Sequence, residues 1–303
     1  MQHQLTDRDW RILGWLYDHR IMTSFQIGHA LFPSINVAQR RLTQLTELSL
    51  LERFRPFRLE GGSYPYHYAL AHLGDVVVAA TRGLPLPRRA DSAARLRRVA
   101  TNRNLAHRLG VNQFFTDLAG HERTHPGSRL RLWWPDNQVA AFAGPLNSKA
   151  FALPLADAVG MWAEAGRTVA FYLEHDTGTE ALTVLIDKIT NYDTFTESSA
   201  PAWPVLLWLH SASREAHLHK RLAGVHHTIP VATAARDRLG HNSPADAIWH
   251  LHGSAAPLRR LVELPMPDPI DNHAFPVDDG HTPITLKTHE REQLHLPTLM
   301  ERR

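Results

Sequence analysis

The stretch VAFYLEHDTGTEALTVLIDKITNYDTFTESSAPAWPVLLWL, residues 169–209, decides the fold of this chain. It opens with a short apolar run that ends in Glu174 and Asp176. Apolar residues then recur at helical spacing between 178 and 195. The uninterrupted apolar run at 204–210 is typical of a strand that is buried on both faces. The stretch therefore predicts a strand, a helix and a central strand of an α/β domain.

Further elements flank this segment on both sides. The pattern upstream of it predicts one long helix or two between 88 and 125, and a loop that runs through Asn147. The remaining predicted elements are strands at 129–134, 151–162, 167–176, 228–233 and 248–251 and a helix at 213–223. Residues 163–166 separate two of these strands as a hairpin turn. This order predicts an α/β sandwich.

Acidic side chains interrupt or end the apolar strands at Asp157, Glu174 and Asp176. Such groups are costly there unless they are paired or bind a metal. Glu174 and Asp176 share one face of their strand, and the hairpin is expected to bring Asp157 beside them. Carboxylate oxygens suit Mg²⁺ or Mn²⁺, either of which can activate water for phosphodiester hydrolysis.

Lys188 on the following helix is placed to stabilise the attacking water or the developing phosphorane charge. The predicted catalytic residues are therefore Asp157, Glu174, Asp176 and Lys188, and the first three are the predicted metal ligands. A structural interpretation is also open: Asp157 lies in a bend, Asp176 caps the next helix and Glu174 pairs with an arginine.

The 21 histidines raise the question of a zinc site. The close pairs are His217/His219, His226/His227 and His250/His252. None of these pairs has i, i+4 spacing with a glutamate between its members, and the chain has no cysteine. Metal binding by these pairs is not expected.

The first 82 residues predict three short helices followed by a β-hairpin. Thr6, Thr23 and Ser34 are the predicted N-caps, and Phe25 is among the apolar residues of the second helix. Residues 60–63, Glu-Gly-Gly-Ser, are a hairpin signal between two β-rich runs. This is the order of a winged helix-turn-helix.

The third helix and the first wing strand carry the chemistry expected of a DNA-binding surface. Amide, hydroxyl and guanidinium groups on this helix can meet base edges, and arginines that alternate along the strand can reach phosphates. The predicted DNA-binding residues are Asn36, Gln39, Arg40, Arg41, Thr43 and Gln44 on the helix, with Arg53, Arg55 and Arg58 on the strand. The alternative is a dimerisation or protein-binding module.

The charge distribution agrees with a nucleic-acid partner. Residues 1–125 hold 17 basic and 10 acidic side chains, whereas residues 126–303 hold 16 and 20. A locally basic domain attracts polyanions such as double-stranded DNA. The absence of cysteine, of a signal sequence and of a membrane-length apolar run predicts a cytoplasmic protein with no membrane partner.

The chain is expected to divide into a winged-helix domain at 1–83, a linker at 84–87 and a second domain at 88–262. The Pro-rich segment 263–303 is predicted to be an extended or disordered tail. The predicted fold class is thus α/β (α+β), with an N-terminal winged helix followed by an α/β sandwich.

The stretches LTDRDWRILGWLYDHRIMTSFQIGHALF, RRLTQLTELSLLERFRPFR, HRLGVNQFF and FYLEHDTGTEALTVLIDKITNY resemble the replication-relaxation family of actinobacterial plasmids and integrative elements. The resemblance spans about residues 5–250. It implies a DNA-binding protein of a mobile genetic element that acts in plasmid replication, relaxation or conjugative transfer.

The second domain also resembles the PD-(D/E)XK nuclease fold, which places Asp157 at the first acidic position and Glu174 at the second. Asp176 stands where that pattern has lysine, and Lys188 on the adjacent helix is expected to fill the role. The resemblance implies a Mg²⁺- or Mn²⁺-dependent DNA nickase. The alternative is a catalytically inactive transcriptional regulator or relaxosome accessory factor, whose nuclease-like domain forms a homodimer or binds other replication or transfer proteins.

Overall fold

The computed structural model describes residues 5–56, 62–143, 156–197 and 201–270. These residues form two compact units that divide between Thr116 and Asp117. Both helices and strands are present in each unit, so the expectation of a mixed α+β protein is confirmed. The predicted linker at 84–87 lies between two helices of the first unit.

The first unit begins with three capped helices, which are α1 (Asp7–His19), α2 (Ser24–Leu31) and α3 (Ile35–Glu47). The predicted N-caps are confirmed, because the side chains of Thr6, Thr23 and Ser34 each accept a hydrogen bond from a backbone amide of the first turn. Phe25 lies on α2 as predicted, and its side chain is 57% exposed.

A small antiparallel sheet packs with these helices. Its strands are β1 (Met22–Thr23), β2 (Leu51–Phe54) and β3 (His67–Leu70), in the order β1-β3-β2. The pairing of β2 with β3 confirms the predicted hairpin strands, and Arg53 lies opposite Tyr68. The two-residue strand β1 was not predicted.

Three further helices follow, which are α4 (His72–Thr81), α5 (Arg89–Ala100) and α6 (Leu105–Thr124). The predicted helical stretch from 88 to 125 therefore forms two helices. Arg82, directly after α4, donates two hydrogen bonds of 2.8 Å to the buried carboxylate of Asp18 on α1. The division between the two units falls within α6.

The second unit is built on a six-stranded sheet in the order β4-β5-β6-β7-β8-β9. Its strands are β4 (Arg129–Pro135), β5 (Ala158–Glu164), β6 (Arg167–His175), β7 (Val205–Leu209), β8 (Val231–Ala235) and β9 (His250–Leu251). The pairs β4–β5, β5–β6 and β8–β9 are antiparallel, whereas β6–β7 and β7–β8 are parallel. The last seven residues of β6 and every residue of β7 and β8 are buried.

Three helices accompany this sheet, which are α7 (Asp136–Ala143), α8 (Leu182–Glu197) and α9 (Ala212–Leu222). α8 connects β6 to β7 and α9 connects β7 to β8, and each of these strand pairs is parallel. Because such connections are right-handed and both proceed in the same direction across the sheet, α8 and α9 cover the same face. That face carries the candidate site.

The β5–β6 hairpin shows why its sequence turns sharply. Ala165 and Gly166 both have positive φ, at 51° and 75°, which is the backbone of a two-residue hairpin turn. Gly166 adopts this conformation without steric cost, since it has no side chain. The tight turn fixes the register of β5 against β6, with Glu164 opposite Arg167.

Several predicted boundaries in the second unit are corrected. α7 occupies the start of the stretch that was predicted to be a loop through Asn147. α8 begins at Leu182 and not at Gly178, so Asp176 lies too far upstream to cap it. β5 begins at Ala158, and residues 151–155 of the predicted strand lie outside the described residues.

The start of the predicted C-terminal tail contacts the sheet. The backbone amide of Ala170 approaches Sδ of Met266 at 3.3 Å, and the amide of Ala202 donates to Asp268 at 2.6 Å. The rest of this segment, from residue 271 onward, lies outside the described residues.

Candidate functional site

Two carboxylates lie at the junction of β5 and β6, where the antiparallel hairpin meets the parallel part of the sheet. Ala158 pairs with Leu173, so Asp157 and Glu174 occupy the next positions on the two strands. Oδ2 of Asp157 accepts a hydrogen bond of 2.8 Å from the backbone amide of His175. The hairpin register thus holds the carboxylate of Asp157 beside the end of β6.

Glu174 is buried, and both of its carboxylate oxygens receive hydrogen bonds from α8. Nζ of Lys188 donates to Oε2 at 2.9 Å, and the hydroxyl of Tyr192 donates to Oε1 at 2.7 Å. Lys188 and Tyr192 are four residues apart, so they lie on the same side of α8. Lys188 is the predicted lysine, whereas Tyr192 was not among the predicted site residues.

The electrostatics of Glu174 are set by two opposing influences. Burial raises the pKa of Glu174 to about 7, and the neighbouring carboxylate of Asp157 acts in the same direction. Lys188 and the hydroxyl of Tyr192 lower it. Glu174 is therefore held close to the point at which it exchanges a proton at neutral pH, and the repulsion from Asp157 is a force that a bound cation would relieve.

Asp176 is held by different partners. Nε and Nη2 of Arg214 on α9 donate to its two carboxylate oxygens at 2.5 Å and 2.8 Å, and the Asp176 side chain is 1% exposed. Arg236 donates to the backbone oxygen of Asp176 at 2.7 Å and also contacts His175. Arg214 therefore binds the carboxylate of Asp176, which the sequence predicted to be a metal ligand.

The structure thus brings together three of the four predicted catalytic residues, Asp157, Glu174 and Lys188, and it pairs the fourth with an arginine. Neither Tyr192 nor Arg214 was recognised from the sequence. The signal for Tyr192 was its i, i+4 spacing from Lys188. No local pattern links Asp176 to Arg214, because 38 residues separate them.

In the first unit, the polar side of α3 is available to solvent. Asn36, Gln39, Arg40 and Gln44 are exposed, and Thr43 is half-buried. Arg41 differs from them, because its Nε and Nη2 donate to the buried carboxylate of Asp9 on α1 at 2.9 Å and 2.6 Å. Arg41 therefore ties α3 to α1, and the remaining side chains form the accessible polar surface of the helix.

The strand β2 presents its arginines beside an aromatic ring. The guanidinium carbons of Arg53 and Arg55 lie 4.5 Å and 3.9 Å from the ring centroid of Tyr66. Both arginines are exposed, and cation–π contact with one ring orients them together. Arg58, the third predicted wing arginine, lies outside the described residues.

The structure defines a class of mixed α+β protein. One unit combines helices with a small antiparallel sheet, and the other has a carboxylate–lysine site at the end of a sheet strand. Residues 13–206, which are more than half of the chain, match the family model described as replication-relaxation. The chain therefore belongs to the replication-relaxation family. No curated protein and no solved structure matches it.

Among the described residues, none of the helices combines the length and the apolar character needed to cross a membrane.

Proposed function

We propose that this protein binds the DNA of a mobile genetic element and acts in plasmid replication, relaxation or conjugative transfer. In this proposal the first unit is a winged helix that binds double-stranded DNA, and the second is a PD-(D/E)XK nuclease-like domain that nicks it. Membership of the replication-relaxation family supports the biological setting. The observation that carries the proposal for the second unit is the cluster of Asp157, Glu174 and Lys188.

The first unit supports DNA binding by the order of its elements and by its exposed groups. Three helices precede a hairpin, and α3 presents amides and the guanidinium of Arg40 to solvent. Such groups form bidentate hydrogen bonds to base edges in the major groove. Arg53 on β2 and Arg55 just after it supply positive charge for phosphate contacts.

The acidic site fits a hard divalent cation. Asp157 and Glu174 are adjacent carboxylates whose mutual repulsion contributes to the raised pKa of Glu174. A carboxylate has about four lone-pair sites, so the hydrogen bonds from Lys188 and Tyr192 leave Glu174 able to accept another partner. Asp157 and Glu174 would hold Mg²⁺ or Mn²⁺, whereas Asp176 is already bound by Arg214. A bound cation of this kind supplies Lewis-acid activation of water and phosphate.

The residues of the chain have separate tasks in this proposal. Tyr192 and Lys188 fix the orientation of the Glu174 carboxylate through hydrogen bonds to its two oxygens. The side chain of Lys188 is 31% exposed, so it is partly accessible to solvent while it contacts Glu174. There it is placed to stabilise negative charge that develops on a phosphodiester.

A catalytically inactive protein is the second candidate, and one specific observation favours it. Asp176 replaces the lysine of the nuclease pattern, and Arg214 donates hydrogen bonds to both of its carboxylate oxygens. In that case the protein would be a transcriptional regulator or relaxosome accessory factor, and its second unit would form a dimer.

Nicking of supercoiled plasmid tests the proposal. The full chain is incubated with a plasmid that carries the origin of its own element, in Mg²⁺, Mn²⁺ or EDTA. The variant is Glu174→Gln, and the control is Asp187→Asn, which removes an exposed carboxylate of α8. Metal-dependent nicking that is lost only in Glu174→Gln supports the nuclease. A mobility shift without nicking in the wild type supports the inactive DNA-binding protein, and the absence of both contradicts the DNA-binding proposal.

A further inference from the structure

A second polar cluster lies on the same face of the sheet as the acidic site. Glu174 on β6 pairs with Leu207 on β7, Leu207 pairs with Thr233 on β8, and Thr233 pairs with His250 on β9. Directly paired residues project to the same face of a sheet. Glu174 contacts α8 and Thr233 contacts α9, which agrees with both helices covering this face.

Three side chains of this second cluster converge closely. Glu215 and His219 are four residues apart on α9 and therefore lie on the same side of the helix. Together with His250 they offer one carboxylate oxygen and two imidazole nitrogens, all within 4.8 Å of one another. Glu215 is buried, and the two histidines are half-buried. His252 adds a further imidazole, since its Nδ1 lies 3.0 Å from Nδ1 of His219.

The hydroxyl of Thr233 organises two members of the cluster. It donates to Oε1 of Glu215 at 2.5 Å, and its oxygen lies 2.8 Å from Nε2 of His219. Hydrogen bonds of this kind orient the ligands of metal sites. Arg238 contacts the second carboxylate oxygen of Glu215, but its side chain is 52% exposed and is free to move into solvent.

We propose that Glu215, His219 and His250 form a binding site for a divalent transition metal of the Zn²⁺ class. One carboxylate and two imidazoles are a recurrent zinc ligand set, in which water or a substrate takes the fourth position. Metal–nitrogen distances of about 2.0–2.1 Å require the ligand atoms to close to about 3.4 Å from one another.

The two clusters differ in the metal that they favour. Asp157 and Glu174 offer only oxygen, which suits Mg²⁺ or Mn²⁺, whereas two imidazoles suit zinc, copper or nickel. Because the second site shares no ligand with the acidic site, it stands whether or not the protein is a nuclease.

Cobalt substitution tests this site directly. The full chain is first freed of metal with a chelator and then titrated with Co²⁺, whose visible absorption reports tetrahedral coordination, and the Co²⁺ is displaced with Zn²⁺. The test variants are His219→Gln and Glu215→Gln. The matched control is His217→Gln, which removes an exposed imidazole from the same helix.

We expect one equivalent of Co²⁺ to give a visible band that Zn²⁺ removes. Both test variants are expected to weaken binding by about a hundredfold, because even an outer partner of a metal ligand contributes tenfold or more. His217→Gln is expected to bind like the wild type. His250→Gln, on the edge strand β9, provides the test if a change on α9 prevents folding. A wild type that gives no band, or a band that survives in His219→Gln and His250→Gln, overturns the proposal.

Discussion

Nζ of Lys188 lies 2.9 Å from Oε2 of Glu174, although the two residues belong to different elements of the second unit. The contact depends on the way α8 returns along the face of the sheet after β6. It places a cation against a carboxylate that burial would otherwise keep protonated.

Lys188→Met tests the role that the proposed function gives to this ammonium. If the nuclease proposal holds, we expect plasmid nicking to fall by about a hundredfold to a thousandfold, the effect of losing one preorganised group that stabilises charge in a transition state. DNA affinity measured by mobility shift should stay unchanged. Nicking within a few fold of the wild type would remove Lys188 from the site.

Tyr192→Phe tests the hydrogen bond to the other oxygen of Glu174. The substitution removes the hydroxyl that donates at 2.7 Å and leaves a buried carboxylate with one partner fewer. We expect the free energy of unfolding to fall by about 1–3 kcal/mol in urea denaturation. Tyr64→Phe is the control, since Tyr64 is 45% exposed and should change stability by less than about 0.5 kcal/mol. Equal effects of the two substitutions would show that the bond to Glu174 contributes nothing.

Asp9→Asn tests the contact between α1 and α3. Burial raises the pKa of Asp9, but the hydrogen bonds from Arg41 and Thr6 together lower it by more. The pKa of Asp9 therefore lies below its ordinary value of 3.8. A carboxylate with a lowered pKa in the folded state stabilises the protein above its ordinary pKa, and that stability is lost as the pH falls below about 4.

We expect Asp9→Asn to cost about 2 kcal/mol near neutral pH, because Arg41 loses its partner and the N-terminus of α1 loses part of its capping box. The difference from the wild type should shrink as the pH falls toward 3, because the unfolded chain takes up a proton at the ordinary pKa of Asp9 before the folded carboxylate does. Urea denaturation at the two pH values measures this. A difference that is the same at both would contradict the assignment.

Arg40→Ala and Arg55→Ala test the proposed DNA interface in different ways. Loss of a base contact at Arg40 should cost about 1–3 kcal/mol of affinity for the specific site and leave non-specific binding intact. Loss of a phosphate contact at Arg55 should weaken binding to all sequences and reduce the slope of log affinity against log salt by about 1. Fluorescence anisotropy over a range of salt concentrations measures both.

Arg97→Ala is the matched control for these variants, because it removes an exposed arginine from α5. It should bind DNA like the wild type. If the three variants bind alike, the surface formed by α3 and β2 does not contact DNA.

The elements that the sequence predicted best are those with local signals. The N-caps at Thr6, Thr23 and Ser34 carry their own hydrogen-bonding chemistry, and all three are confirmed. β1 escaped prediction because two residues show no periodicity and become a strand only by pairing with β3. Likewise, the start of α8 at Leu182 reflects packing against the sheet more than the cap-like sequence before it.

The candidate site shows the same difference between local sequence signals and contacts between distant elements. The approach of Asp157 to Glu174 followed from a short hairpin, whose register is set by its turn. The pairing of Asp176 with Arg214, and the meeting of Glu215 and His219 with His250, depend on contacts between elements that are distant in sequence. The cluster takes one histidine from each of two pairs considered from the sequence, His219 and His250, and adds Glu215, which lies four residues before His219 and was not considered.

The row of paired residues from Glu174 to His250 fixes the distance between the two clusters of the second unit. Adjacent strands are about 4.8 Å apart, so backbone hydrogen bonds hold Glu174 and Thr233 about 10 Å from each other with Leu207 between them. Substitutions in either cluster can change its chemistry without altering this spacing. An added residue in β7 would instead turn Leu207 and its neighbours to the opposite face of the sheet. That change would disturb the packing between the two clusters.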